Sequence, residues 1–502
     1  MQILKPVFGA SALALLVSAP AAWADVSAKD VWAQWQDYSA RSGLTLTASG
    51  EATSGAVTTY SGVKFAMDAE DVSYVAELGE LVLTENSDGT VAITTPESYP
   101  ITISSKGDSP INAELSVTQE ALVLTASGTP DSINYAYTAD SFTVALLGVT
   151  GEEVNDTTAT GALVLGKSSG KSVIGSGAVQ PFSSEFTAES LGATLEIDAP
   201  SQNGAFSMTV AVADLTGTSE GSLPTGIDPE DLGAMLKAGM KAKGKLSFGA
   251  STYDLSFSDD EQMMDMSSTL GEGALDFDLT EAGMHYETSA KDIAVSVESS
   301  DLPLPISLTL AESAFGLGMP IAKSDQPQDF AFLTKVIGLE IDEALFGMID
   351  PMEQLPRDPI NIVLDLAGKA NWLVDITAED ADEQMYEAGM PAELHSLDIR
   401  DLELTAIGAS LTGAGAFTFN NDDLETFGGM PAPSGKIDLQ LVGANKLIDT
   451  LVEMGFVPDD QAMMAKMMMG MFAKPGAGED TLVSTVEVKE DGSVFANGQQ
   501  LQ

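Results

Sequence analysis

The chain has 502 residues and a formal net charge of −53, which comes from 75 acidic and only 22 basic residues. A field of this sign repels phosphate backbones and anionic lipid headgroups, so we exclude nucleic acid as a partner. The chain has no cysteine. Disulfides and a lipid-anchoring cysteine are therefore excluded, and stability must come from a buried core, for which this length is sufficient.

The first 24 residues have the pattern of a secretory signal peptide. Lys5 precedes an apolar run from Pro6 to Ala22, and the small-x-small sequence Ala22-Trp23-Ala24 stands before Asp25. We expect cleavage before Asp25 and a periplasmic protein that is soluble afterwards. The alternative is a protein anchored to the inner membrane by an uncleaved signal.

The abundance of acidic residues allows two interpretations. In the first, they form a solvated surface that keeps an exported protein in solution. In the second, some of them gather as oxygen ligands for calcium, which we keep as a secondary hypothesis. We predict no cofactor.

The mature N-terminus has the pattern of one amphipathic helix. Ser27 and Asp30 have the spacing of a capping box, and Gly43 is a stop signal. The apolar residues that share one helical face are Val31, Trp32, Trp35 and Tyr38. We expect this face to pack on a sheet; the alternative is a helix that rests at a membrane interface.

From Leu44 onward the chain alternates between apolar and polar residues with the period of two that is typical of strands. Two Asp-Gly pairs, at 88–89 and 491–492, predict hairpin turns with positive φ at both residues. The clearest alternating runs are 44–47, 72–75, 81–84, 111–117, 122–125, 142–147 and 193–197. We therefore predict a mainly β fold with an elongated antiparallel sheet that curves into a groove.

Helical patterns interrupt the strands later in the chain. Asp228 with Pro229 predicts the start of a helix that ends at Gly244. A C-terminal helix pair is predicted at 445–455 and 459–474, with a hinge at Pro458 and a stop at Pro475.

We predict one large β-rich domain over residues 25–502, with a soft boundary near 222–245. Four lysines there, at 237, 241, 243 and 245, follow a stretch from 172 to 236 that has no basic residue. We interpret them as a solvated helix face; the alternative is a docking spot for an acidic partner.

We find no catalytic constellation in the sequence. The stretch 166–172 imitates a phosphate-binding loop with too few residues between its glycines, and 217–221 has the spacing of a nucleophile elbow without a following helix. We predict turns at both places. His285 and His395 are predicted to be partnered surface or edge residues. We therefore predict that the protein is not an enzyme and has no catalytic residue; a hydrolase is the third interpretation.

Methionines are concentrated in the second helix of the predicted pair. One helical stripe holds Met463, Met467 and Met471, and an adjacent stripe holds Met464, Met468 and Phe472. Three interpretations remain open. The helix is a core element that covers a sheet, its methionines form an adaptable surface for an apolar ligand or acyl chain, or its thioethers bind Cu(I).

Several C-terminal motifs resemble a bacterial exported family known as domain-of-unknown-function family 2125. The segments that carry the resemblance are 350–359, 410–415, 431–435 and 491–498. The resemblance covers most of the mature chain and implies no catalytic residue.

A more distant resemblance connects residues 397–501 with AsmA-like envelope proteins, through the order strand, glycine turn, helix pair and strand. It implies an elongated β-rich domain with a lipid-handling groove. The chain differs from the larger members of that group because it has a cleavable signal instead of a permanent anchor.

These observations lead to two hypotheses about function. The first is a non-enzymatic periplasmic protein that binds a lipid or other apolar ligand in a β groove, for which the candidate residues are Met463, Met464, Met467, Met468, Met471 and Phe472. The alternative is a structural or protein-interaction factor of the cell envelope that has no ligand and an unknown envelope protein as its partner.

Overall fold

The computed structural model of the chain describes residues 26–107, 109–228, 231–378, 380–388 and 391–501. The predicted signal peptide and its cleavage site lie outside these residues. The protein is mainly β, and its strands form one large antiparallel sheet, as predicted.

The elements up to residue 224 are α1 (Ala28–Arg41), β1 (Thr45–Thr47), β2 (Gly50–Ser54), β3 (Val57–Asp68), β4 (Val72–Glu85), β5 (Val91–Thr94), β6 (Ser98–Ser105), β7 (Asn112–Glu120), β8 (Val123–Thr129), β9 (Ser132–Ala139), β10 (Ser141–Thr150), β11 (Thr158–Leu165), β12 (Ser168–Gly175), β13 (Val179–Ala199) and β14 (Gly204–Pro224), with 3₁₀ turns at Glu152–Val154 and Pro200–Gln202.

The following elements are α2 (Leu232–Lys237), β15 (Lys241–Phe248), β16 (Ser251–Ser258), β17 (Met263–Leu270), β18 (Glu272–Thr280), β19 (Gly283–Ser299), β20 (Ile306–Pro320), β21 (Gln328–Ile341), α3 (Glu343–Ile349), β22 (Ile360–Trp372), α4 (Ala381–Ala388), β23 (Ala392–Ala406), β24 (Ala409–Asn420), β25 (Ala432–Val442), α5 (Ala444–Glu453), α6 (Asp459–Phe472), β26 (Lys474–Pro475), β27 (Thr481–Val488), β28 (Val494–Ala496) and β29 (Gln499–Gln500).

The contacts within the chain divide it into two compact units. The first comprises the described residues of 1–226 together with 242–272 and 297–305, and the second comprises 227–241, 273–296 and 306–502. A contiguous cluster of buried hydrophobic residues lies in the first unit, between α1 and strands β1 to β12. The prediction of a single domain stays a prediction.

Helix α1 confirms the predicted N-terminal helix. Ser27 and Asp30 form the reciprocal bonds of a capping box. The indole of Trp32 stacks on the ring of Tyr60 in β3, with 4.1 Å between the ring centroids. This face packs on the sheet because two aromatic rings leave water together. Tyr38, however, is exposed, although Ser39 in the same turn is buried, so the buried face of the helix is centred away from Tyr38.

Both predicted Asp-Gly hairpins are present, but their turn type differs from the prediction. Gly89 and Gly492 have positive φ, whereas Asp88 and Asp491 do not. Each aspartate accepts hydrogen bonds from the residue two positions later, Asp88 from Thr90 and Asp491 from Ser493. Such a bond holds an aspartate in an Asx turn, so only the glycine adopts the left-handed conformation.

The stretch 166–172, which imitates a phosphate-binding loop, and the stretch 217–221, which has the spacing of a nucleophile elbow, lie largely in strands. The prediction of turns was therefore wrong for most of their residues. Only Gly166 and Lys167 lie between β11 and β12, and the stretch 217–221 lies inside the long strand β14. Gly217 stands opposite Phe186, and a Cβ at this glycine would lie 2.1 Å from the phenylalanine ring. Because Gly217 has no side chain, the ring of Phe186 can pack directly over its backbone.

The helix predicted to start at Asp228 is shorter than expected. Its N-cap is Asp231, whose carboxylate accepts from the N–H of Ala234 at 2.8 Å, and the helix ends at Lys237. Pro229 lies outside the described residues. Gly244 and the lysines at 241, 243 and 245 belong to strand β15, so the interpretation of the four lysines as a helix face was wrong for three of them.

The C-terminal helix pair is confirmed as α5 and α6, with Pro458 at the hinge. Helices α3 and α4 were not predicted, because each has only seven or eight residues and no repeated apolar face. Strands β28 and β29 are joined by a turn at Asn497 and Gly498, both of which have positive φ.

Candidate binding surfaces

Helix α6 presents five of its six methionines to solvent. Exposure of these side chains ranges from 50% at Met468 to 71% at Met463. The exposed apolar residues of this helix are Met463, Met464, Met467, Met468, Met471 and Phe472. We call the five methionines among them the methionine face. The interpretation of α6 as a core helix is therefore wrong.

The inward side of α6 holds two alanines and one methionine. Ala462 is buried, and Ala465 and Met469 are half-buried. In an ordinary amphipathic helix the large apolar residues face inward and the polar ones face out. Here the pattern is largely reversed, because five of the six methionines remain outside.

The start of the helix pair is fixed by Asp480, which lies just before β27. Its carboxylate accepts from the N–H of Lys446 at 2.9 Å and from the side-chain amide of Asn445 at 2.7 Å, at the first turn of α5. Burial raises the pKa of the Asp480 carboxyl, but these hydrogen bonds outweigh burial, and the pKa lies below its ordinary value. A carboxylate at the N-terminus of α5 is also stabilised by the positive end of the helix dipole.

The end of α6 is fixed by two side chains from the last strands. The carbonyl oxygen of Phe472 accepts from the hydroxyl of Ser484 at 2.6 Å and from the side-chain amide of Asn497 at 3.0 Å. The carbonyl oxygen of the Asn497 side chain accepts from the N–H of Thr485 at 3.1 Å. Between the two helices, Lys466 forms an ion pair with Asp449 at 2.6 Å. Polar contacts at both ends therefore hold the methionine face in place.

A second apolar surface, which was not predicted from the sequence, lies at the end of α3 and in the loop that follows it. Met348, Ile349 and Met352 are exposed, and Met352 has an exposure of 70%. We call these three residues the apolar loop. In the sequence, residues 350–359 contributed only to the family resemblance. The pattern that indicates an exposed apolar surface here is the alternation of apolar residues with Asp, Pro and Gly.

The apolar loop is held by a buried carboxylate. Asp350 has no exposed surface and accepts from the backbone N–H groups of Gln354 and Leu355 at 3.0 and 2.7 Å. Arg357 donates to the same carboxylate at 2.8 Å, and its guanidinium lies 4.1 Å from the centre of the Phe346 ring. Burial raises the pKa of Asp350, but the hydrogen bonds and the charge of Arg357 outweigh it and lower the pKa to about 2.

The two histidines lie on strands of the second unit. His395 is 2.5 Å from the side-chain oxygen of Asn371 and 3.7 Å from Glu393, and His285 is 3.8 Å from Glu287. Asn371 in turn donates to the backbone oxygen of Ser324. Each histidine thus has a polar partner, as predicted.

Three surface clefts in the described parts of the chain are lined mainly by polar and charged side chains. One lies in the second unit between Ser434 and Asp491. The other two lie in the first unit, around Glu196 and Ser256 and around Lys171 and Glu220. The predicted apolar groove stays a prediction, and the candidate residues lie instead on an exposed helix.

Among the residues that the structure describes, no three or more histidine, aspartate or glutamate side chains gather in a way that would hold a metal ion. Within the same residues, none of the helices combines the length and the apolar character needed to cross a membrane.

One model of a known protein family matches the chain. The model of the family described as "Uncharacterized protein conserved in bacteria (DUF2125)" matches residues 254–500, which confirms the resemblance seen in the C-terminal motifs. Both apolar surfaces lie within the matched residues. No curated protein matches the chain.

Proposed function

We propose that this chain, which belongs to the DUF2125 family, is a non-enzymatic periplasmic protein that binds a lipid or other apolar ligand on the methionine face of α6. The observation that carries the proposal is the combination of five exposed thioether side chains with hydrogen bonds that fix both ends of the helix pair.

The exposed thioethers forgo the free energy of hydrophobic burial unless a ligand covers them. Apolar side chains that stay in water forgo about 1.5–3 kcal/mol each relative to a buried position. Contiguous exposed apolar patches on soluble proteins typically mark binding sites. Methionine suits ligands of irregular shape, because its unbranched side chain repacks easily around different partners.

The charge of the protein limits the ligands that this surface accepts. The first turn of α6 carries Asp459 and Asp460, and the whole chain has a net charge of −53. Such a field disfavours anionic headgroups close to the helix. An uncharged or zwitterionic apolar molecule is therefore the expected ligand.

The apolar loop supports a second candidate function, that of a protein-interaction factor of the envelope. Its three apolar side chains lie at the end of α3 and the start of the following loop, where the buried carboxylate of Asp350 accepts hydrogen bonds from Leu355 and Arg357. A preorganised loop loses little conformational freedom on association, which favours docking to another protein. The two candidates use different residues and are separable by mutation.

The test compares two triple variants of the methionine face by titration with the uncharged fluorescent probe N-phenyl-1-naphthylamine. Met463, Met467 and Met471 are changed to Ala in one variant and to Leu in the other. We expect the Ala variant to bind at least about tenfold more weakly, because it lacks three exposed side chains that the bound probe would cover, and the Leu variant to bind as the wild type does.

A variant of the apolar loop, Met352→Ala, serves as the matched control, since Met352 is as exposed as Met463. Unchanged binding by this control locates the ligand on α6. Wild-type protein that does not bind the probe, or an Ala triple variant that binds it normally, would overturn the proposal. A partner protein whose capture depends on Met352 alone would favour the second candidate.

A further inference from the structure

Helix α6 carries a cluster of exposed methionine sulfur atoms. It has no cysteine, so methionine is its only sulfur-containing side chain. Five methionines stand exposed within three turns of α6, whereas Met235 in α2 has an exposure of only 7%. Access to solvent decides how readily an oxidant reaches a sulfur atom, so these thioethers are far more accessible than a buried one.

We propose that the methionine face is a site of reversible sulfoxidation and that this modification switches off apolar binding. The regulation rests on the proposed function, because it acts on the same surface. Oxidation turns an apolar, flexible side chain into a polar one, and it is known to disrupt methionine-rich interfaces.

The oxidant is a peroxide, and the reaction is balanced. The lone pair of the thioether sulfur attacks one oxygen of hydrogen peroxide, so that an S–O bond forms as the O–O bond breaks. The leaving hydroxide takes the proton of the transferred oxygen and becomes water. Sulfur loses two electrons, and the peroxide gains them.

The geometry of α6 makes the consequence local. Its inward side holds Ala462, Ala465 and the half-buried Met469, and its last turn is held by Ser484 and Asn497. None of these contacts involves an exposed thioether. Oxidation therefore changes the chemistry of the surface and leaves the contacts that position the helix intact, as a switch requires.

The experiment treats the full-length mature protein with hydrogen peroxide and follows two readouts. Peptide mapping by mass spectrometry measures sulfoxide at each methionine, and titration with N-phenyl-1-naphthylamine measures binding. We expect sulfoxide in the α6 peptide well before Met235 reacts, and a loss of binding of at least about tenfold. Treatment with methionine sulfoxide reductases should restore the binding.

Two variants separate the effect of α6 from general oxidation damage. The variant with Leu at positions 463, 464, 467, 468 and 471 keeps an apolar face that peroxide cannot oxidise, and its binding should survive the treatment. The control Met352→Leu removes an equally exposed thioether elsewhere and should remain as sensitive as the wild type.

The outcomes distinguish the two proposals. If the untreated wild type does not bind the probe, the proposed function fails and the switch falls with it. If the untreated protein binds but protein with oxidised α6 binds equally well, only the switch is overturned. Oxidation of Met235 as fast as the α6 methionines would also overturn it.

Discussion

Asp350 is the residue on which the apolar loop depends most. Its carboxylate is fully buried and takes three hydrogen bonds, one of them from the charged Arg357. Changing it to Asn keeps the shape but removes the charge and one acceptor. We expect Asp350→Asn to lower Tm by several degrees at neutral pH, measured by circular dichroism, because the partly buried guanidinium of Arg357 loses one of its charged partners.

The pH dependence of this effect follows from the lowered pKa. The Asp350 carboxyl has a pKa of about 2 in the folded protein, and an unfolded aspartate titrates near about 3.9. Its contribution to stability is therefore complete above about pH 4 and is lost as the pH falls towards 2. The difference in Tm between wild type and Asp350→Asn should shrink over this interval.

The control is Asp358→Asn, because Asp358 lies in the same loop but is exposed. An equal drop in Tm for both variants would contradict the argument.

Residue patterns predicted local contacts well where one side chain acts on its own neighbours. The capping box of Ser27 and Asp30 is of this kind. The same reasoning failed for Asp88 and Asp491, since the sequence does not show that their carboxylates bond to the residue two positions later. The contact of Asn497 with the end of α6 connects positions 25 residues apart, and no local pattern predicts such a bond.

At the scale of elements, Asn497 tests how α6 is held. It has positive φ, so a change to Gly removes the side chain without backbone strain, whereas Ala would add strain. Asn497→Gly loses two side-chain hydrogen bonds, which should cost about 1–3 kcal/mol in total. We expect faster hydrogen–deuterium exchange in α6, with α1 unchanged. The variant Ser484→Ala, which removes the other bond to Phe472, should produce a smaller change of the same kind.

The methionine face should contribute little to stability, in contrast to core methionines. Because Met463, Met467 and Met471 are exposed, changing all three to Ala should alter the free energy of unfolding by no more than about 1 kcal/mol. Buried methionines would cost about 2–5 kcal/mol each. Urea unfolding measures the difference. A loss of several kcal/mol would mean that the thioethers are packed after all.

The helical pattern of α6 was visible in the sequence, but its orientation was not. A stripe of apolar residues is the usual mark of a core face, and periodicity alone cannot show which side contacts the sheet. The informative signal was the pair Ala462 and Ala465, since small residues permit close approach. The hydrogen bond from Ser484 to the carbonyl oxygen of Phe472, which fixes the last turn of α6, joins positions 12 residues apart and is not part of that pattern.

At the scale of the whole molecule, alternation predicted a mainly β protein but underestimated its strands. The runs 72–75 and 81–84 belong to one strand, β4, which continues past Gly79 with positive φ. A glycine that interrupts alternation suggests a turn in the sequence, yet it also fits a bulge inside a continuous strand. Strands β13 and β14 have 21 residues each, because their polar positions remain solvated on an exposed face.

The net charge predicts how the whole molecule responds to salt. With 75 acidic and 22 basic residues, repulsion between like charges opposes the compact state, and most of these charges are separated by distances that salt screens. Raising NaCl from about 10 to about 150 mM shortens the screening length from about 30 to about 8 Å. We expect Tm to rise by several degrees over this range, measured by calorimetry at neutral pH.

Choline chloride at the same ionic strength should give an equal rise, because screening does not depend on the cation. A fall in Tm with salt would instead mean that the ion pairs, such as Lys466 with Asp449, outweigh the repulsion among the carboxylates.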